Sequence, residues 1–203
     1  REYEQQLVRT LEEDPVLQDR PVVGPSFIKP GSYAGFGELE GIDVGNMHPY
    51  PGGAPPEEGL RYNLGLARRV AGDLPLYATE TGYHNAIKAE GEGVQPGVSE
   101  EAAAVYLPRL YLEYFREGVE RTFAYELLDQ KPDPGNGNAE LNFGLLSADY
   151  QPKPAYEAMT NLIGLLDGGG SSASGRLSYS LVNDQGVHTL LLRKSDGRFY
   201  LAV

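Results

Sequence analysis

The chain has 203 residues, which is long enough to bury one core, or one core with a small appendage. Its 29 acidic residues outnumber its 17 Lys and Arg residues, and the net charge of -12 argues against a nucleic-acid partner, because such proteins concentrate basic side chains. Cysteine is absent, which excludes disulfides and thiolate metal sites, and no apolar run is long enough to predict a membrane-spanning helix.

Four strand-forming segments alternate with helical segments along the first 167 residues. The strands are expected at residues 21–27, 41–48, 74–80 and 121–127. Helices are expected at residues 1–13, 55–70, 100–117 and 155–165, where apolar side chains recur at helical spacing. Ser99 and Gly72 mark helix ends, as an N-cap and a C-cap respectively. Alternation of strand and helix is typical of a parallel α/β sheet.

The pattern changes after residue 167. Residues 168–174 are rich in glycine and serine and are expected to form a linker. From residue 175 onward apolar and polar residues alternate, and turn-forming residues at 183–186 and 195–197 separate three short strands. An antiparallel meander of this kind predicts part of a β-sandwich at residues 175–203.

Glu80 is the side chain that most strongly indicates chemistry. It ends the strand predicted at residues 74–80 and precedes a glycine-containing turn. Glutamate is a poor strand former and is costly to bury, so here it is either paired with a base in a structural role or placed for catalysis. The preceding strand ends close to His48 and Tyr50, which supply an imidazole and a phenol at the same kind of junction.

Strand alternation predicts which side chains share a face of the sheet. Asn46 and His48 are expected on one face, and Leu76, Ala78 and Glu80 are likewise expected to share a face. The carboxyl ends of parallel strands meet at one edge of a sheet, so these polar residues are expected near one another.

Five motifs, in this order along the chain, support a resemblance to a known group of enzymes. They are His48-Pro49-Tyr50, Thr79-Glu80-Thr81-Gly82-Tyr83, Tyr125-Glu126-Leu127-Leu128-Asp129, Asn142-Phe143-Gly144-Leu145 and Pro152-Lys153-Pro154-Ala155-Tyr156. Together they resemble the clan A glycoside hydrolases, and most of all the cellulase-like family 5 and the β-xylosidase-like family 39. Such enzymes are often bacterial and secreted, which implies an extracellular or periplasmic location.

The resemblance covers residues 1–167 and implies a fold. The four strands correspond to strands five to eight of a (β/α)8 TIM barrel, so the chain would hold the C-terminal half of the barrel and lack its N-terminal half. The tail resembles the β-sandwich that often follows such barrels. The domains expected are therefore the half-barrel at residues 1–167, the linker at 168–174 and a partial β-sandwich at 175–203.

The resemblance also implies a mechanism and a set of site residues. Glu80 would be the catalytic nucleophile of a retaining double displacement, and the acid/base Glu would lie upstream of this chain, ~5–5.5 Å from the nucleophile in space. Tyr50 would donate its hydroxyl to Glu80 and help to keep it ionised, and His48 would orient either Glu80 or a sugar hydroxyl. Family members usually place a Trp at the end of the eighth strand, and this sequence has none. The substrate contacts expected are Asn46, Tyr83, His84, Tyr125 and Glu126.

Structural alternatives stand beside these roles. His48 is alternatively a hydrogen-bonded rim histidine, His84 a residue that caps the turn, and Glu126 a carboxylate paired with a buried base. A loop of oxygen-bearing side chains suggests calcium but lacks EF-hand spacing, so a solvated loop without metal is expected. Its residues are Asp129, Asp133, Asn136, Asn138 and Glu140.

The predicted function is hydrolysis of O-glycosidic bonds in a poly- or oligosaccharide, without cofactor, metal, membrane or nucleic-acid partner. Residues 1–203 alone are expected to be inactive, because the proton donor lies upstream. One alternative is a carbohydrate-binding pseudoenzyme that uses the same cleft. Another is an unrelated barrel enzyme acting on a phosphorylated metabolite, which fits less well because the loops after the last two strands lack a glycine-rich phosphate cradle.

Overall fold

The computed structural model describes residues 2–27, 29–167, 177–182 and 186–203. The helices are α1 (Glu2–Glu13), α2 (Pro30–Phe36), α3 (Leu60–Ala71), α4 (Glu100–Arg116) and α5 (Pro154–Leu166). The strands are β1 (Gly45–Met47), β2 (Leu76–Thr81), β3 (Val119–Ala124), β4 (Leu190–Arg193) and β5 (Phe199–Ala202). The chain is therefore an α/β protein, as predicted, and helices α1, α3, α4 and α5 confirm the helical segments expected from the sequence.

Strands β1, β2 and β3 form a parallel sheet with β2 in the middle. Leu76 pairs with Gly45 on one side and with Val119 on the other. The segment predicted as the first strand makes a single parallel bridge, from Val23 to Val44. Proline has no backbone N–H to donate to a strand ladder, so Pro21 and Pro25 limit this segment to a bridge.

Helices α3 and α4 pack their apolar residues against the sheet. The core includes Leu66, Ala67, Val70 and Ala71 of α3, Leu107, Leu110 and Tyr114 of α4, and Met47, Leu76 and Ala78 of the sheet. Gly45 allows β1 to approach α3, because a Cβ atom at that position would overlap the Cβ of Ala71. Helix α4 begins at the predicted N-cap, where the Ser99 hydroxyl accepts a 3.2 Å hydrogen bond from the N–H of Ala102.

The alternation expected along β2 is wrong in one respect. Leu76 and Ala78 are fully buried in the core, but Glu80 reaches His48 outside it. The register between β2 and β3 is irregular between Ala78 and Thr81. That irregularity breaks the two-residue period, so Ala78 and Glu80 do not share a face. Thr79, which the expected alternation put on the opposite face from Glu80, also contacts the polar end of β1.

Helix α2 lies between the strands predicted at residues 21–27 and 41–48, where no helix was expected. Its first residue, Pro30, fits the first turn of a helix, where a missing N–H costs nothing. Phe27 packs against the rings of Tyr33 and Phe36, with centroids 4.8 Å and 4.9 Å away. Burial of these aromatic rings stabilises a short helix that the glycine content of the segment disfavours.

The tail contains one antiparallel hairpin. Strands β4 and β5 pair from Leu190–Ala202 to Arg193–Phe199, which confirms the turn predicted at residues 195–197. Residues 177–182 were expected to form a strand and are not in one. The predicted linker and most of the first predicted turn fall outside the described residues. Across the described part of the chain, no helix combines the length and apolarity needed to cross a membrane.

Candidate active site

Glu80 and His48 meet where β1 and β2 end. Oε2 of Glu80 lies 2.8 Å from Nδ1 of His48, and the two side chains are 35% and 31% exposed. Both groups are therefore open to solvent on one side and available to a ligand. Burial lowers the pKa of His48, and the charge of Glu80 opposes this with a smaller effect.

Tyr50 provides a second contact to the same carboxylate. The pKa of Tyr50 is raised well above its ordinary value, first by burial and then by the charge of Glu80, which lies nearby. The phenol therefore keeps its proton and can offer a hydrogen bond to the carboxylate. Donation to the ionised form stabilises a negative charge on Glu80.

The segment between His48 and Tyr50 is fixed by two buried hydroxyl groups. The carbonyl oxygen of Pro49 accepts hydrogen bonds from Thr81 at 2.6 Å and from Tyr114 at 2.9 Å. Thr81 and Tyr114 are almost completely buried, and burial raises the pKa of Tyr114 to about 12. These bonds connect the end of β1 to β2 and α4, so they hold His48 and Tyr50 at a defined position.

Thr79 contacts the far side of the His48 ring and is itself bound by Asn46. The Thr79 hydroxyl lies 2.8 Å from Nε2 of His48 and 2.8 Å from Oδ1 of Asn46. The backbone N–H of Thr79 donates to the same Asn46 oxygen at 3.3 Å. The sequence motif indicated a role for Glu80, whereas no contact of Thr79 with His48 was predicted.

Phe143 packs against three of the candidate site residues. Its ring centroid lies 5.7 Å from that of Tyr50, 5.3 Å from that of Tyr125 and 5.1 Å from that of His84, each at a steep angle. Backbone hydrogen bonds between Glu126 and residues 143 and 145 bring this loop beside the end of β3. The result is an aromatic wall next to Glu80, which is the kind of surface that the apolar face of a sugar ring packs against.

Two further carboxylates lie near this wall. Glu80, Glu126 and Glu140 all raise the pKa of Tyr125, although burial is the larger cause. Oε1 of Glu126 is buried and has no hydrogen-bond partner within the described ranges, and burial raises the pKa of Glu126. Glu126 accordingly favours its neutral form more than an exposed glutamate does.

A buried ion pair supports the loop that carries Phe143. Nζ of Lys153 lies 2.7 Å from Oδ2 of Asp129, and both side chains are less than one-tenth exposed. Oδ1 of Asp129 accepts a 2.8 Å hydrogen bond from the N–H of Gly144. A Cβ atom at Gly144 would overlap backbone atoms of this turn, so glycine is required there. The sequence motif that contains Lys153 gave no sign of this pairing.

The loop considered for calcium is organised by Asp133 instead. Its Oδ2 accepts hydrogen bonds from the N–H groups of Gly137 and Asn138 and from the side chain of Asn142, each at 2.9 Å. These donors lower the pKa of Asp133, with the Asn138 N–H as the main cause. No group of three or more possible metal ligands is found among the residues that the structure describes.

Two predicted substrate contacts are buried. Tyr83 lies in the core, where its hydroxyl donates to the carbonyl of Ala54 at 3.1 Å. His84 is 3% exposed, with Nε2 2.8 Å from the carbonyl oxygen of Gln95. His84 therefore packs against Phe143 from a buried position, and Tyr83 contacts the loop that contains Ala54. The residues that the structure brings together at the surface of the site are Asn46, His48, Tyr50, Thr79, Glu80, Tyr125, Glu126 and Phe143.

Comparisons with known proteins show a fold likeness. No protein-family model and no curated protein matches the chain. Among solved structures, a family 2 β-galacturonidase from Eisenbergiella tayi matches 88% of this chain at 19% identity with a TM-score of 0.61. A family 17 β-1,3-glucanosyltransferase from Rhizomucor miehei matches 74% at 19% identity with a TM-score of 0.55. A family 39 glycoside hydrolase from Bacteroides cellulosilyticus matches 69% at 26% identity, and its TM-score of 0.49 is too low to support an argument.

These matches establish a glycoside-hydrolase-like fold and leave the family open. The chain spans 55% of the Rhizomucor enzyme, 32% of the Eisenbergiella enzyme and 30% of the Bacteroides enzyme. An active-site mutant of the Rhizomucor enzyme was solved in complex with laminaritriose, so this fold neighbour binds an oligosaccharide.

Proposed function

We propose that this chain carries the nucleophile-bearing part of a retaining glycoside hydrolase, with Glu80 as the nucleophile. The main support is the position of Glu80 at the carboxyl end of a parallel strand, held by His48 and Tyr50 beside an aromatic wall. In parallel α/β folds, ligands bind at these strand ends. The glycoside hydrolases among the fold neighbours support the same class of activity.

The proposed fold of the whole protein is a (β/α)8 barrel. The segment around Val23, which bridges to Val44, is followed in the sheet by β1, β2 and β3. Four consecutive parallel segments in this order are what strands five to eight of such a barrel would form. In this proposal residues 1–167 are the C-terminal half of the barrel, residues 168–174 a linker, and residues 175–203 part of a β-sandwich. The N-terminal half would then come from an upstream part of the protein, and the protein would act outside the cytoplasm.

In the proposed mechanism a carboxylate oxygen of Glu80 attacks the anomeric carbon of the substrate. The bond from that carbon to the leaving-group oxygen breaks, and an acid from the upstream half of the barrel supplies the proton that the oxygen takes up. Water then attacks the anomeric carbon of the glycosyl ester and gives a proton back to the same upstream residue, which now acts as a base. The bond from the sugar to Glu80 breaks, which releases the sugar and regenerates the Glu80 carboxylate. The phenol of Tyr50, and His48 while its Nδ1 carries a proton, favour the ionised form of Glu80 before the first step.

The proposed substrate is a poly- or oligosaccharide. Phe143 and Tyr125 would contact the apolar face of a sugar ring, and Asn46 and Glu126 would contact its hydroxyl groups. Tyr83 and His84 are buried and would act by supporting these residues. No metal or cofactor is needed for a double displacement between carboxyl groups.

Kinetics of the full-length protein test this proposal. We expect hydrolysis of an aryl glycoside with retention of anomeric configuration, and a loss of at least about 1,000-fold in kcat for Glu80→Gln. Binding of the sugar without turnover would favour the pseudoenzyme alternative. Inversion of configuration would rule out the nucleophilic role of Glu80.

A further inference from the structure

Four short contacts in sequence connect the backbone of β2 to the carboxylate of Glu80. The N–H and the hydroxyl of Thr79 both lie within hydrogen-bonding distance of Oδ1 of Asn46, at 3.3 Å and 2.8 Å. The same hydroxyl lies 2.8 Å from Nε2 of His48, and Nδ1 of His48 lies 2.8 Å from Oε2 of Glu80. Each contact requires one proton, so the protons along the sequence can be assigned one by one.

The backbone of Thr79 determines the orientation of the Asn46 carboxamide. A backbone N–H needs an acceptor, and the NH2 group of asparagine has only protons to offer. The carboxamide oxygen of Asn46 must therefore face Thr79. The Thr79 hydroxyl has a single proton, and its 2.8 Å contact with this oxygen uses that proton.

The Thr79 hydroxyl then has only lone pairs left for His48. Nε2 of His48 must carry a proton to form its 2.8 Å contact with that hydroxyl. We propose that Thr79 and Asn46 are positioning residues that keep a proton on Nε2 of His48, so that only Nδ1, the nitrogen facing Glu80, gains and loses one.

This assignment has a consequence at Glu80. While Nδ1 carries a proton, it donates to Oε2; once that proton is lost, a ring lone pair faces the carboxylate and the contact breaks. If the remaining proton moved to Nδ1, one contact of Thr79 would be lost: the contact with Nε2, or, if the hydroxyl rotated to donate to Nε2, the contact with Asn46. The negative charge of Glu80 raises the pKa of His48, although burial lowers it by more. The nearby Tyr50 hydroxyl stays protonated and adds no charge. The importance for catalysis rests on the proposed function, whereas the position of the proton does not.

Nitrogen NMR of the full-length protein without substrate tests the proposal. The protein is labelled with 15N at histidine, and the His48 signals are assigned as those missing from His48→Gln. In the neutral ring we expect Nε2 to have the chemical shift of a protonated ring nitrogen and Nδ1 that of an unprotonated one. A neutral ring with its proton on Nδ1 would overturn the proposal.

Two variants separate the hydroxyl of Thr79 from its shape. Thr79→Val keeps the branched shape but removes the hydroxyl, so the proton of the neutral ring should move to Nδ1, where Glu80 accepts it. Thr79→Ser restores the hydroxyl and should restore the wild-type shifts. Unchanged shifts in Thr79→Val would show that the hydroxyl does not hold the proton. If Thr79→Val does not fold, the wild-type shifts decide the question alone. Because the readout requires no turnover, a failure of the proposed function would leave it intact.

Discussion

The hydroxyl of Tyr114, in the middle of the core, donates a 2.9 Å hydrogen bond to the carbonyl of Pro49, the residue between His48 and Tyr50. A buried helix residue thus fixes the chain that presents both partners of Glu80. Thr81 donates to the same carbonyl from β2. The geometry around Glu80 therefore depends on packing as well as on the polar residues themselves.

Removal of the Tyr114 hydroxyl should cost stability. Tyr114→Phe leaves the Pro49 carbonyl with Thr81 as its remaining donor, so we expect a loss of about 1 kcal/mol in the free energy of unfolding, the usual worth of one hydrogen bond. Denaturant titration measures this. Tyr62→Phe, at an exposed position of α3, is the matched control and should change stability by less than about 0.5 kcal/mol. Equal effects of the two substitutions would show that the bond to Pro49 contributes nothing.

Loss of the buried cation should be far more damaging. Lys153→Met leaves Asp129 buried without its partner, and breaking a buried pair on one side costs about 3–5 kcal/mol. The midpoint of chemical denaturation reports the loss. Lys131→Met removes an equal charge from an exposed position and should have little effect. A cost below about 1 kcal/mol for Lys153→Met would show that Asp129 tolerates the loss, contrary to the structure.

Glu126 should make the stability of the protein depend on pH. Its pKa in the folded chain is raised by burial, so the folded state holds the proton more tightly than the unfolded state. The stability that protonated Glu126 contributes is therefore lost as the pH rises from the pKa of Glu126 in the unfolded chain to its pKa in the folded chain. Relative to wild type, Glu126→Gln should become more stable as the pH rises above about 4, the ordinary pKa of a glutamate.

Glu58→Gln is the control for this experiment, because it makes the same change of charge at an exposed position. Subtracting its effect removes the general influence of net charge. A stability difference for Glu126→Gln that stays constant with pH, or falls as the pH rises, would contradict the assignment of a raised pKa to Glu126.

Tyr50 should matter for turnover more than for binding. Tyr50→Phe removes a donor to a charged carboxylate, an interaction worth about 1.5–3 kcal/mol, so kcat of the full-length protein should fall about 10- to 100-fold. The exposed Tyr3→Phe substitution is the control. A change confined to KM would mean that Tyr50 contacts the substrate and does not act on Glu80.

Much of the sheet could be predicted from the sequence, because apolar strands, capped helices and turn residues are local signals. Strands β1 to β3 and the cap at Ser99 are examples. The proximity of His48, Tyr50 and Glu80 followed from the rule that the carboxyl ends of parallel strands meet at one edge.

Other features depend on contacts between distant segments and carry no local signal. Helix α2 forms because Phe27 buries two aromatic rings, despite the glycines around it. The irregular register after Ala78 brings Glu80, as well as Thr79, to the His48 ring, and no two-residue pattern could show this. The pairing of Lys153 with Asp129 joins residues 24 positions apart. A sequence does not show which charged side chains will be buried together, because burial depends on the fold.

The nucleophilic role of Glu80 is tested most directly by mass spectrometry of the full-length protein after reaction with a fluorosugar inactivator. A retaining enzyme forms a glycosyl ester on its nucleophile, and the fluorine slows the hydrolysis of that ester. We predict one added fluoroglycosyl group on the peptide that contains Glu80, and none in Glu80→Gln. A label on another carboxylate such as Glu126, or hydrolysis that persists in Glu80→Gln, would contradict this role.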